Sequence, residues 1–328
     1  MSTSRTPDGT AVSHTVRASH ADHAFEPTIG LCRETLHANP LDYLAHYSDG
    51  LFDFSVDRLV PGESGPGRED LQRVGQQLAL RLTTVDRKLQ EVRTGALIRT
   101  VLHTPSGAFF CDSVIPGQQV VGVICDRSAS RVVRNPSDQE DVMAADQAVA
   151  LLVTAVRGRI SLPSLNPGGW DVRQSPEPAV TGEAIASVQH LGRLDERAVE
   201  LFNEALAIED LHMVAHCRDG EATLIADLFG ESALAPFFLQ SSVAHRRRFY
   251  RSFCGELQTS VSTLNRMVKT VLGDLLVRVV LDVEQGAIYY YRLGARDYLV
   301  GVTLNQETQS RADERMARLA LQFAQLDG

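Results

Sequence analysis

The chain has 328 residues, 44% of them hydrophobic and 22% charged, with a formal net charge of −9 and a pI near 5.6. That is enough apolar material for two domains with sizeable cores, and the acidic balance excludes a chain that holds nucleic acid through its overall field. Only Lys88 and Lys269 are lysines, so nearly all positive charge is arginine, a bias that by itself points to no function.

Residues 1–26 are rich in Ser, Thr, His and Ala without apolar periodicity or a hydrophobic signal region, which predicts a disordered arm. A short helix from about residue 28 should end at Asn39-Pro40. LDYLAHYSDG at 41–50 reads as a β-hairpin, because Asp49-Gly50 supplies the positive φ angles of a tight turn. Gly62, Gly65 and Gly67 follow without a GK[ST] sequence, so this loop connects rather than cradles phosphate. Residues 68–93 carry Leu71, Val74, Leu78, Leu82, Val85, Leu89 and Val92 at steps of three and four, a long helix with one buried seam. The period then becomes extended in GALIRTVLHT, AFFCDSVI and QVVGVICD, a three-stranded meander. Ser137 and Glu140 have capping-box spacing ahead of an apolar helix running to about 156.

A Pro- and Gly-rich linker spans 158–181 and holds Trp170, either a staple on one domain or an anchor for a partner. The pattern then returns. LHMVAHCRDG at 211–220 repeats the first hairpin at an offset of 170 residues, preceded by a helix from the N-cap Asp195 to about 208. Residues 230–244, with exposed-looking Phe237-Phe238-Leu239, hold the insertion, about nine extra residues between hairpin and helix that move the offset to 179. At that offset the helix seam matches Tyr250, Phe253, Leu257, Val261, Leu264, Val268 and Val271, in a helix predicted over 245–272. Two register-matched blocks indicate a tandem duplication. A second meander follows, and Ser310 with Asp313 should cap the last helix, which ends near 326. The organisation predicted is therefore an arm (1–26), copy 1 (27–157), the linker (158–181) and copy 2 (182–328). Each copy is an α+β unit of helix, two strands, long helix, three strands and helix, with a five-stranded antiparallel sheet covered by helices.

Cys32, Cys111, Cys125, Cys217 and Cys254 lack CxxC spacing and sit among apolar neighbours, as reduced core residues of a cytoplasmic protein do. The longest aliphatic stretch, 148–156, is too short to span a bilayer. His46 and His216 hold matching places, but a strand puts His and the Asp three residues later on opposite faces, which favours packing or hairpin hydrogen bonding over catalysis or metal binding. No HExxH, GxSxG, Walker or DxDxDG pattern appears. We therefore expect no catalytic, cofactor or metal residues.

His245-Arg246-Arg247-Arg248 and Arg251 crowd cations into the first turns of a helix, where they oppose its macrodipole. They read as a solvated turn paired with acidic neighbours, or as a docking patch of Arg246, Arg247, Arg248 and Arg251 for a partner.

The element order resembles the roadblock/LC7 family of the longin-like superfamily. The likeness is clearer over 211–325, where GAIYYYRLGARDYLVGVTLNQ is similar to the end of such a domain; copy 1 resembles it more weakly, with about twelve additional residues around 126–138. The resemblance implies a non-catalytic module that dimerises through its long helix and an edge strand, and that acts as an adaptor or regulator of small Ras-like GTPases. A duplicated chain could then pack Leu78, Leu82 and Val85 against Leu257, Val261 and Leu264 as an intramolecular pseudo-dimer, alone or within a further homo-oligomer. The alternatives are a protein-binding module like a type III secretion chaperone, in which the middle helix would follow three strands and precede two, and a small-molecule sensor, which would need an enclosed apolar pocket.

Overall fold

The computed structural model describes residues 13–60, 65–125, 136–170, 186–190 and 196–326. The first half runs β1 (His14–Arg17), α1 (Glu26–Ala38), β2 (Tyr43–Ser48), β3 (Leu51–Asp57), α2 (Arg68–Leu89), β4 (Leu97–Thr104), β5 (Gly107–Ile115), β6 (Gln118–Cys125) and α3 (Pro136–Arg159). The second runs β7 (Ser187–His190), α4 (Glu196–Ala205), β8 (Met213–Arg218), β9 (Glu221–Asp227), α5 (Val243–Leu272), β10 (Arg278–Val283), β11 (Gly286–Arg292), β12 (Asp297–Thr303) and α6 (Gln309–Ala324).

All these strands join one antiparallel sheet, in the order β1-β3-β2-β6-β5-β4-β10-β11-β12-β8-β9-β7. Read inward from either edge the order is the same, and the two series meet where β4 pairs with β10. The turns that close the first hairpin of each series are built alike. Asp49 and Gly50 take φ of 50° and 76°, Asp219 and Gly220 take 55° and 82°, the left-handed pair that matches strand twist. A bulge follows each histidine, between His46 and Tyr47 and between His216 and Cys217.

Helices α2 and α5 lie side by side on one face of the sheet, and α1, α3, α4 and α6 cover the other. The first apolar layer holds the seam residues Leu71, Val74, Leu78 and Leu82 with Tyr250, Leu257, Val261 and Leu264. The second holds Leu36, Val149 and Phe202 with Met316 and Phe323. Helix α2 has Glu69 and Asp70 in its first turn and Arg87 and Lys88 in its last, charges that favour its dipole. Helix α5 starts on Ser242, whose side chain accepts from His245 N, and stops at Gly273 in the left-handed conformation.

Several expectations need correction. A strand, β1, stands within the expected arm, because the open edge of β3 offers unpaired backbone groups and Thr15-Val16 suit an extended edge. Residues 1–12 lie outside the described residues. With β7 on β9 at the other edge, each half has six described strands rather than the five expected, and the described strands of both halves form one continuous sheet. Within the expected linker, Pro167, Gly168 and Gly169 are buried, and Gly168 N donates to Asp282 at 3.0 Å. The last helix is not capped by Ser310. Asn305 caps a short 3-10 turn ahead of α6, and Asp313 is drawn away to Arg278. Phe237 and Phe238 are half-buried against a small cluster of Ile208, Leu228 and Leu234; Leu239 alone of the three is exposed. The caps expected from Ser137 and Asp195 fall on a side chain and a residue outside the described ones.

Candidate functional site

The matching histidines are held by their hairpins. His46 Nδ1 lies 2.7 Å from Asp53 Oδ2, and the ring stacks on Phe54 with centroids 5.6 Å apart. Burial alone would raise the Asp53 carboxyl, but hydrogen bonds from His46, Ser48 and His20 outweigh it and hold it below the usual carboxylate range. His216 bridges Thr223 Oγ1 at 2.6 Å and Asp297 Oδ1 at 2.9 Å. Both rings therefore tie strand to strand, and the Asp residues three positions later sit in the turns rather than beside them.

The four arginines of the basic turn do not form one exposed patch. Arg246 is 1% exposed, with its guanidinium 5.2 Å above the Phe238 ring and Nε and Nη1 without hydrogen-bond partners among the described residues. Burial lowers its pKa from the usual guanidinium value. Arg247 is bound to Asp227 through Nε and Nη2 at 2.8–3.1 Å. Arg251 bonds Gln189 on β7, and Arg248 is exposed. The insertion supplies the ring that covers Arg246, which is why a reading of consecutive letters placed this side chain outside.

Of the six seam candidates, Leu78, Leu82, Leu257, Val261 and Leu264 are buried in the apolar layer beneath α2 and α5, and Val85 is half-buried at its margin. Two polar contacts cross between the helix ends: Lys88 Nζ to Glu256 Oε2 at 3.4 Å, and His245 Nε2 to the Glu91 carbonyl at 3.3 Å.

On the opposite face, the junction of the two series holds a charge cluster that the sequence reading missed. Arg99 on β4 donates to Asp146 of α3 at 2.8 Å and also to Asp282 of β10, one acid from each half. Burial works against the charge on Arg99, but Asp146 and Asp282 outweigh it and raise its pKa well above the usual value. Burial in turn pushes Asp282 up to about 6. Asp112 is raised well above the carboxylate range by burial, with neither oxygen hydrogen-bonded among the described residues. The pair has a counterpart. Arg278 stands 179 residues after Arg99 and donates to Asp313 of α6 at 3.1 Å. The repeat offset links the arginines, but the extra residues before α3 shift Asp146 out of register with Asp313 and hide the match. No group of three or more His, Cys, Asp or Glu placed to hold a metal ion occurs among the described residues.

No protein-family model and no curated protein matches the chain. Among solved structures it is similar to a roadblock/LC7 domain from Streptomyces avermitilis, at 20% identity over 40% of this chain and 96% of that one, with a TM-score of 0.29. It is also similar to the gliding protein MglB from Thermus thermophilus, at 13% identity over 40% and 92%, with a TM-score of 0.28. A structure of MglB in a tetrameric arrangement gives 12% identity over 40% and 93%, with a TM-score of 0.27. Likenesses at this score add nothing to the strand order, the repeat and the packing. No described helix is long and apolar enough to cross a membrane.

Proposed function

We propose that the chain is a non-catalytic adaptor or regulator. Two roadblock-like units, residues 27–157 and 182–328, form an intramolecular pseudo-dimer and offer the α2–α5 face to a protein partner. The partner class that the roadblock resemblance suggests is a small Ras-like GTPase. One observation carries this reading: β4 pairs with β10 while α2 and α5 lie side by side over the same junction. An edge strand and a long helix from each half are thereby used together, as the resemblance leads one to expect of two subunits.

The test uses Leu82→Glu, with Val261→Glu as its counterpart. Both side chains are nearly fully buried, at 4% and 2% exposure, and an unpaired carboxylate there costs on the order of several kcal/mol. The expected outcome is a lower melting temperature, a changed hydrodynamic size or proteolysis pattern, and loss of whichever protein wild type captures from the native host. Any captured GTPase is then assayed for nucleotide hydrolysis with and without the chain. Unchanged melting, size and capture in both variants would mean that the seam faces water, and the pseudo-dimer reading would be abandoned.

A further inference from the structure

We propose that the second half carries a binding groove for an acidic peptide segment, lined by cations from α5 and from the β11–β12 hairpin. The groove is open, with a volume of about 440 Å³. Arg266 and Lys269 come from α5, Arg292 and Arg296 from the end of β11 and the turn after it, and the buried Tyr290 and Tyr298 also border it. Among the described residues, no Asp or Glu lines it. In a chain of net charge −9 such a concentration of positive charge is local and needs a reason. Arg266, Lys269 and Arg296 are exposed, and among the described residues the carboxylate contact here is that of Asp219 with Arg296, an exposed pair 2.9 Å apart.

The first half shows that the fold does not require these charges. At the 179-residue offset Arg266 corresponds to Arg87, but Lys269 corresponds to Gln90, Arg292 to Ser113 and Arg296 to Gly117. The tyrosines correspond to Cys111 and Gln119, in the same strand register. One further exchange points the same way. Asp86 Oδ1 accepts from Leu97 N at 2.7 Å in the first half, and Asn265 Oδ1 accepts from Leu276 N at 2.7 Å in the second. The same backbone bond is kept while the negative charge is removed from the groove wall.

The shape selects among anions. A single phosphate is held by convergent donors in an enclosed site, whereas here cations from two elements line an open groove. A long nucleic-acid strand would run beyond the groove onto an acidic body. A short acidic segment can set its carboxylates against cations of both elements. The groove shares α5 and the seam residue Val261 with the paired-helix reading, so the two are separated by Leu82→Glu, which tests that reading and lies outside the groove lining.

Binding of a fluorescein-labelled, glutamate-rich peptide to the full chain, followed by anisotropy, tests the assignment. Affinity should fall as salt rises from about 50 to about 300 mM. Arg266→Gln with Lys269→Gln should weaken binding by roughly tenfold, given the modest contribution of each exposed pair. Arg81→Gln with Arg87→Gln removes the same charge from exposed positions of α2 and should leave binding unchanged. Both double variants should melt like wild type, since the substituted side chains are exposed. Equal binding by the two double variants would overturn the groove. So would single-stranded DNA of matched charge binding as tightly as the peptide, or displacement of the peptide by millimolar inorganic phosphate.

Discussion

His212, immediately before β8, has no solvent exposure; its Nδ1 accepts from Leu304 N at 2.9 Å and its Nε2 lies 2.8 Å from the Ile208 carbonyl. That geometry assigns the proton to Nε2. Burial pushes its pKa down from 6.5 to about 4. As pH falls the unfolded chain takes up this proton first, so the stability that neutral His212 contributes is fully present above about pH 6.5 and is lost as pH falls toward about 4. His212→Asn keeps an acceptor for Leu304 N and removes the titration. Its melting temperature should lie below that of wild type near pH 7.5, yet fall less between about pH 6.5 and about 4. Parallel melting curves across that range would show that His212 does not carry the acid slope. Nothing in the sequence marked this residue. The equivalent position in the first half is Asp42, whose Oδ2 accepts from Cys125 N at 2.8 Å. Cys125 and Leu304 stand 179 residues apart, so the two copies keep a hydrogen bond while sharing neither letter.

The elements that could be read in advance are those with a long or chemically marked signal. The seams of α2 and α5 repeat every three or four residues over many turns, and Asp-Gly specifies its turn locally. Strands β1 and β7 have four residues each, too few for alternation to show, and exist because an edge was left open. The packing of α2 on its sheet was also illegible. A Cβ on Gly75 would lie 2.3 Å from Tyr47 Oη, and Tyr47 is fully buried and bonded to the Gln72 carbonyl at 3.0 Å. In the second half these places hold Cys254 and Cys217, so one large and one absent side chain are exchanged for two of middle size. Gly75→Ala gains about 1 kcal/mol of helix propensity but overpacks the core at a cost of about 1–3 kcal/mol. It should therefore destabilise on balance. Gly75→Cys should cost more alone than in a Tyr47→Cys background, because the pair shares one volume. Additive shifts in denaturant midpoint would refute that coupling.

For the whole molecule, the two sequence offsets anticipated a strand order that reads the same from either edge, but not the register at which β4 meets β10, since apolar edge strands carry no label for their partner. The junction is asymmetric in a way that only the register reveals. Arg99 faces Asp282 across β4 and β10, whereas the symmetry-related position pairs Arg278 with His103. Removing Arg99 leaves Asp146 and Asp282 buried without their shared cation, one in each half, at a cost of about 3–5 kcal/mol for a broken buried pair. Removing Arg278 deprives only Asp313, which keeps Tyr291 Oη at 2.6 Å and lies within its own half. Arg99→Ala should therefore lower the melting temperature more than Arg278→Ala. Native-state hydrogen exchange should also show its amides on β4 and β10 losing protection before those of β2 and β8. Arg278→Ala should loosen α6 against β10 and β11 without opening the strand pair. If both variants lose protection evenly across the sheet, the halves unfold as one unit and Arg99 contributes to general stability rather than to the junction. If Arg99→Ala opens β4 from β10 first, the ion cluster is what fastens one copy to the other.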